Sequence, residues 1–336
     1  MPGGNGSAPD RQRAARPAAI WGALAAVYVV WGSTYLAIRV AVETLPPLLM
    51  ASVRFLIAGG ILYAWAISRG ERGGDRPTAS QWRAAAIIGT PLLLGGNGAV
   101  VLAEQTVPSG IAALLVATVP LWMVVLARVV LGERVTWRES LGIAVGFGGI
   151  VLLVSPTTGG GFDPLGVGLL LFASLSWAAG SLYARRAPMP SRPLVGTAMQ
   201  MLAGGAALGI AGIAAGEVAD VDLARASMAS LLGLGYLIVF GSLVGFTAYV
   251  WLLRVTRTSL VSTYAYVNPV VAVLLGWAVV SEPLTIRTLV AGGVIVIGVA
   301  LIVSVRARRP AERPAGEPSG EPPGSGAELR ETRARS

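Results

Sequence analysis

The chain has no cysteine, no histidine and no lysine among its 336 residues. Disulfides, thiol nucleophiles and imidazole-ligated metals are excluded, and so is general-base work by an imidazole. Charge of any kind is scarce, at 13% of residues against about 25% in an ordinary globular domain. The long apolar stretches hold no paired carboxylates, so a hydrolase would have to rely on a serine with no evident base. Enzymatic activity, a resident metal and a cofactor are therefore not expected.

What remains is apolar. Hydrophobic residues make up 54% of the chain, and the mean hydropathy is +0.69. Ten apolar runs, each of roughly the 18–25 residues that cross a bilayer as helix, lie near 20–40, 47–68, 82–103, 108–130, 137–155, 164–185, 193–215, 229–253, 259–280 and 286–305. The expected fold class is an all-α integral membrane protein of ten transmembrane helices. The first run follows Arg11, Arg13 and Arg16 but continues past signal-peptide length without a convincing cleavage site, and is read as a retained span. Residues 1–19 form an N-terminal arm, and the Pro-, Gly- and Glu-rich tail 306–336 is expected to be disordered.

The formal charge of +9 would point to nucleic acid in a soluble protein. Here it records orientation. If the N-terminus is cytoplasmic, every arginine except Arg39, Arg54, Arg225 and Arg287 falls in or beside a cytoplasmic segment. Both termini are thus expected in the cytoplasm, with the chain in the plasma membrane and nucleic acid not a partner.

A duplication organises the spans. A shift of 149 residues lays Val116–Ser155 on Ala265–Ser304, matching Pro120 with Pro269, Glu133 with Glu282, Thr136 with Thr285 and Gly149 with Gly298. The repeats, 20–155 and 164–305, hold five spans each. Five is odd, so the second copy enters the membrane inverted, the arrangement of secondary transporters, in which paired helix interruptions near the midplane mark the substrate site. Pro120 and Pro269 form such a pair, since proline removes a backbone donor; a kink that only shapes packing is the alternative.

The stretches "YVVWGSTYLAIRVAVETLPPLLMASVRFLIAG", "NGAVVLAEQTVPSGIAALLVATVPL" and "STYAYVNPVVAVLLG" resemble the EamA family of the drug/metabolite transporter superfamily, in particular its YedA-type bacterial exporters. The resemblance covers residues 20–305. It implies two inverted five-helix repeats around a central cavity, with the fifth and tenth helices peripheral, and transport, commonly efflux, of a small-molecule solute. The expected function is transport, by efflux, of a small metabolite or drug-like solute by alternating access, with a channel or exchanger-type permease as the alternative. Monomer and homodimer are both open; Gly142 and Gly146 suit close helix contact of either kind.

Seven side chains are candidates for contact with the solute. Trp31 and Tyr35 share a face of the first span with Tyr28, Trp177 lies on the sixth span, and Tyr264 and Asn268 lie one turn apart on the ninth. Such rings suit amphipathic solutes or organic cations; interfacial anchoring or packing is the other use. Arg54 sits about 10 Å inside the second span, at a depth matching Glu104 of the third, and the two are expected to form an ion pair or a coupling group. Asn97 extends the same track. Paired with Arg54, Glu104 would stay ionised and outside any proton cycle, which favours a gradient- or exchange-driven mechanism.

Overall fold

The computed structural model describes residues 17–69, 76–155, 161–222 and 224–307. Of the expected arm and tail, only residues 17–19, 306 and 307 fall within it. Ten helices follow the ten apolar runs: α1 (Pro17–Ala41), α2 (Pro47–Ser68), α3 (Ala79–Ala103), α4 (Ser109–Leu131), α5 (Trp137–Val154), α6 (Pro164–Ala184), α7 (Pro193–Ala214), α8 (Met228–Val255), α9 (Tyr264–Val280) and α10 (Ile286–Ala307). Among the described residues there is no strand, and nine helices are long and apolar enough to cross a membrane. The tenth, α9, has 17 residues and is preceded by a single turn, Thr258–Val261.

Local chemistry sets the boundaries. Proline opens α2, α6 and α7, where its missing N–H costs nothing and its fixed φ is already helical. Thr78 with Gln81 and Thr136 with Glu139 form capping boxes ahead of α3 and α5. Asp163 caps α6, accepting from the amides of Leu165 (3.2 Å) and Gly166 (3.0 Å). Its carboxylate is held below the usual range, first by the Thr106 hydroxyl and then by the Gly166 amide. Arginines close three C-termini by donating to free carbonyls: Arg39 to Glu104 and Gln105 after α3, Arg192 to Ala66 in α2, and Arg287 to Leu152 and Ser155 at the end of α5.

The packing has the symmetry of the duplication. Helices α2 and α7 pack on each other, as do α5 and α10. Helix α1 lies against α8 and α9, and its counterpart α6 lies against α3 and α4; α3 meets α7 as α8 meets α2. Replacing each helix by the one five places along reproduces each of these pairs. Helix α4 is well enclosed, with 67% of its most apolar stretch buried, against 33% for α5 and 39% for α10. Glycine lets backbones touch at the crossings: a Cβ on Gly89 of α3 would stand 2.5 Å from the Gln200 carbonyl of α7. Gly142 and Gly146 are spent inside the chain, facing Gly298 and Ile302 of α10 and Leu121 of α4.

The helix interruptions differ from those expected. In α4 the chain leaves the helix at Ala117–Thr118 and resumes at Val119, so Pro120 does follow a break. Pro269 does not: it lies inside the unbroken α9, and the interruption sits earlier, at Ser262–Thr263. So near the start of a helix, proline forfeits a single ladder bond, which the following turns absorb. Each break carries a buried or half-buried threonine that bonds the leucine carbonyl three residues back, Thr118 to Leu115 and Thr263 to Leu260, both at 2.6 Å. A second interruption, absent from the sequence expectations, occupies corresponding helices: α3 is π-helical over Thr90–Gly98 and α8 over Leu237–Val244.

Candidate functional site

The two ends of the bundle are named here for Glu104 and Arg185. Between them, the halves meet through α1, α8 and α9 on one side and α6, α3 and α4 on the other. On the first side Trp31 is the centre of a ring cluster, with ring centroids 5.3 Å from Phe246, 5.1 Å from Tyr249 and 5.2 Å from Tyr264. Its indole N–H donates to the Gly241 carbonyl at 3.2 Å, and it rests against Gly245. On the other side Trp177 rests against Gly96, where a Cβ would stand 3.0 Å from the ring. Gly96 and Gly245 are 149 residues apart. Each half therefore seats a tryptophan of its first helix on the matching glycine of the other half's third helix. A half-buried tryptophan thus stands on each side of this interface. The open cleft of note, about 300 Å³, lies at the Glu104 end, lined by Arg39, Glu43, Pro108, Val280, Ser281, Glu282 and Pro283.

Arg54 and Glu104 are both buried, 4% and 0% exposed, but they are not partners. Arg54 turns to α8: its Nε donates to the Ser242 hydroxyl at 3.0 Å, and its guanidinium lies 4.6 Å over the Phe55 ring. Ion pairs among the described residues include Arg185–Glu133, Arg225–Asp222, Arg306–Glu133 and Arg306–Glu139, none of which involves Arg54 or Glu104. Both carboxylate oxygens of Glu104 lack a hydrogen-bond partner there. The residue stands one place beyond α3; burial first, and neighbouring Glu282 second, push its carboxyl well above the usual range, against the weaker pull of Arg39. Arg39 spends its donors on the Glu104 and Gln105 carbonyls instead. The expected pair is thus corrected, and the argument that kept Glu104 out of a proton cycle falls with it.

The remaining candidates divide between the two sides. Tyr35 lies one turn from Trp31 on α1, half-buried against the main core. Asn268, 8% exposed with Oδ1 unpartnered among the described residues, faces Gly32 of α1 through its backbone. Asn97 lies inside the π segment of α3 beside Gly96 and donates to the Leu92 carbonyl at 3.4 Å. Sequence reading missed Gly241 and Ser242, which receive Trp31 and Arg54, and Glu282, which caps α4 through the amides of Ser109 (2.7 Å) and Gly110 (3.0 Å). The signal for the first pair was present: glycine-rich stretches, 95–98 and 241–245, recur in corresponding helices.

The sequence pattern of the EamA-like transporter family matches this chain twice, over residues 16–155 and 164–304. The chain belongs to that family. It is 45% identical over 284 residues, 84% of its own length and 90% of the relative's, to the inner membrane transporter YedA of Escherichia coli K12. Over 135 residues, 40% of this chain and 44% of the relative, it is 34% identical to a probable terminal-alkyne amino-acid exporter of Streptantibioticus cattleyicolor. A crystal structure with 24% identity, covering 87% of this chain and 98% of that one, superposes with a TM-score of 0.56 and shares the fold. The two EamA-type repeats coincide with the two halves whose helices pair symmetrically.

Proposed function

We propose that this EamA-type transporter exports a small metabolite or drug-like solute across the bacterial inner membrane by alternating access. Trp31, Tyr35, Arg54, Asn97, Trp177, Tyr264 and Asn268 line its route, and the breaks at Thr118, ahead of Pro120, and at Thr263, ahead of Pro269, are its points of bending. One observation carries the reading. Gly132 (φ 70°) and Ser281 (φ 56°), 149 residues apart, both turn left-handed at the ends of α4 and α9. In each turn the next amide bonds the carbonyl six residues back, Glu133 to Ala127 at 3.2 Å and Glu282 to Gly276 at 3.0 Å. Identical turns thus present Glu133 and Glu282 at opposite ends. Their partners differ: Glu282 caps α4, whereas Glu133 pairs with Arg185 (3.6 Å) and Arg306 (3.8 Å). A carrier built from inverted repeats needs its ends to differ in any one state and to exchange roles in the next.

The relatives support location and direction, YedA by its inner membrane and the Streptantibioticus cattleyicolor protein by export. Two measurements test the function together. Metabolite profiles of cells with and without the chain should differ by a solute accumulating in the medium, and that solute should show counterflow in vesicles holding the purified protein. Conductance without counterflow would make the chain a channel.

The proposed orientation, with both termini in the cytoplasm, is supported by the bias of arginine to one set of loops. The absence of native cysteine makes the check direct. A cysteine at Asp220, exposed at the Glu104 end, should react with an impermeant maleimide added to intact cells, and one at Arg186, exposed at the Arg185 end, should react only after lysis. The reverse pattern would invert the topology.

A further inference from the structure

Arg54 carries a statement about the solute, on the reading that the chain is a carrier. Val53, Leu56 and Ile57 of α2 are exposed on the outside of the bundle, while Arg54, between them in sequence, is 4% exposed and points inward. A guanidinium has five N–H donors. Arg54 places one of them on protein, the Nε on Ser242 at 3.0 Å. Among the described residues no carboxylate reaches it. A buried cation left in that condition is costly, and intramembrane charges hold their place where a partner or a cargo meets them.

The surroundings are built for an anion with an apolar body. Gly241 leaves the guanidinium uncovered: a Cβ there would stand 3.2 Å from Nη2 and 3.1 Å from the Thr34 methyl. The same Gly241 accepts from the Trp31 indole at 3.2 Å, which puts the ring cluster of Trp31, Phe246, Tyr249 and Tyr264 beside the charge. Gly241 and Ser242 lie in the π segment Leu237–Val244, a helix form that recurs at functional sites. Four helices, α1, α2, α8 and α9, thus bring an unpaired guanidinium, a hydroxyl and an aromatic wall to one place, drawn from both repeats.

We propose that Arg54 takes the carboxylate of the transported solute, with the Trp31 cluster against its apolar part. The planar fork of a guanidinium matches a carboxylate in two parallel bonds, which neither an amide nor an amine offers it.

Full-length protein purified in detergent is titrated with three matched probes, phenylacetate, phenylacetamide and phenethylamine, and binding is read as a rise in unfolding temperature. Phenylacetate should stabilise the protein and the other two should not. Arg54→Gln should bind phenylacetate about tenfold to a hundredfold more weakly, the loss of a charge-assisted bond, and Arg54→Lys should retain part of the affinity. Because Arg54→Gln removes a buried charge and could fail to fold, Gly241→Ala supplies a second test, covering the guanidinium without removing it, and should weaken phenylacetate alone. Equal binding of acid and amide, unchanged binding in Arg54→Gln or Gly241→Ala, or silence of all three probes would each overturn the proposal. Counterflow of phenethylamine but not of phenylacetate would remove the anion site and leave transport standing; phenylacetate binding with no counterflow would do the opposite.

Discussion

Valine at position 298 should leave little folded protein. A Cβ on Gly298 of α10 would stand 2.6 Å from the Gly146 amide nitrogen, 2.7 Å from its Cα and 2.8 Å from the Gly142 carbonyl. All three are backbone atoms of α5, so no rotamer change relieves the contact, and the two helices must separate. Ordinary overpacking costs about 1–3 kcal/mol; a backbone-on-backbone clash along the α5–α10 seam should exceed that, and a membrane protein of ordinary stability cannot lose much more. Gly293, on the same helix, is the control, since a Cβ there meets nothing within 4 Å. Gly293→Val should extract and elute from a sizing column as the parent does, while Gly298→Val should aggregate. A monodisperse, normally stable Gly298→Val would mean that α5 and α10 do not cross as described.

Glutamine at position 104 should preserve or raise stability and flatten its dependence on pH. The folded state holds the Glu104 proton more tightly than the unfolded chain, whose carboxyl has the ordinary value of 4.5. Its contribution is therefore fully present below that value and is lost as pH rises through the higher folded value. Wild type should weaken as the medium goes from acid to neutral, and Glu104→Gln, uncharged throughout, should not. At neutral pH the difference should favour glutamine, which has no charge to desolvate. With Arg54→Gln added, the two effects should sum, because Arg54 bonds Ser242 and not Glu104. A double mutant much better than that sum would restore the ion pair; a steeper pH slope in Glu104→Gln would reverse the assignment of the neutral form.

The cleft of about 300 Å³ at the same end of the bundle is lined by Arg39 and Glu282, the two charged groups that act on Glu104. Glu282 thus has two duties, capping α4 and raising its neighbour's affinity for the proton. The pH profile of Glu104→Gln is therefore informative about coupling as well as stability.

The length and number of the apolar runs were legible without coordinates, because crossing a bilayer is a condition on consecutive residues. So was the inverted repeat: the single offset that matches Glu133 with Glu282 also matches Gly132 with Ser281, and the turns at both places have the same left-handed backbone. What tertiary structure alone decided is which way a side chain faces. Counting residues gives depth along a helix, but it does not say which way Arg54 or Glu104 faces. Direction around the helix axis accumulates residue by residue, and the π segment Thr90–Gly98, with bonds reaching one residue further than α-helical ones, resets it for everything beyond, Glu104 included. The same segment in α8 carries Gly241 and Ser242 to Trp31 and Arg54. Partners 188 residues apart in the chain, as Arg54 and Ser242 are, follow from how ten helices pack, and no local pattern of residues specifies that.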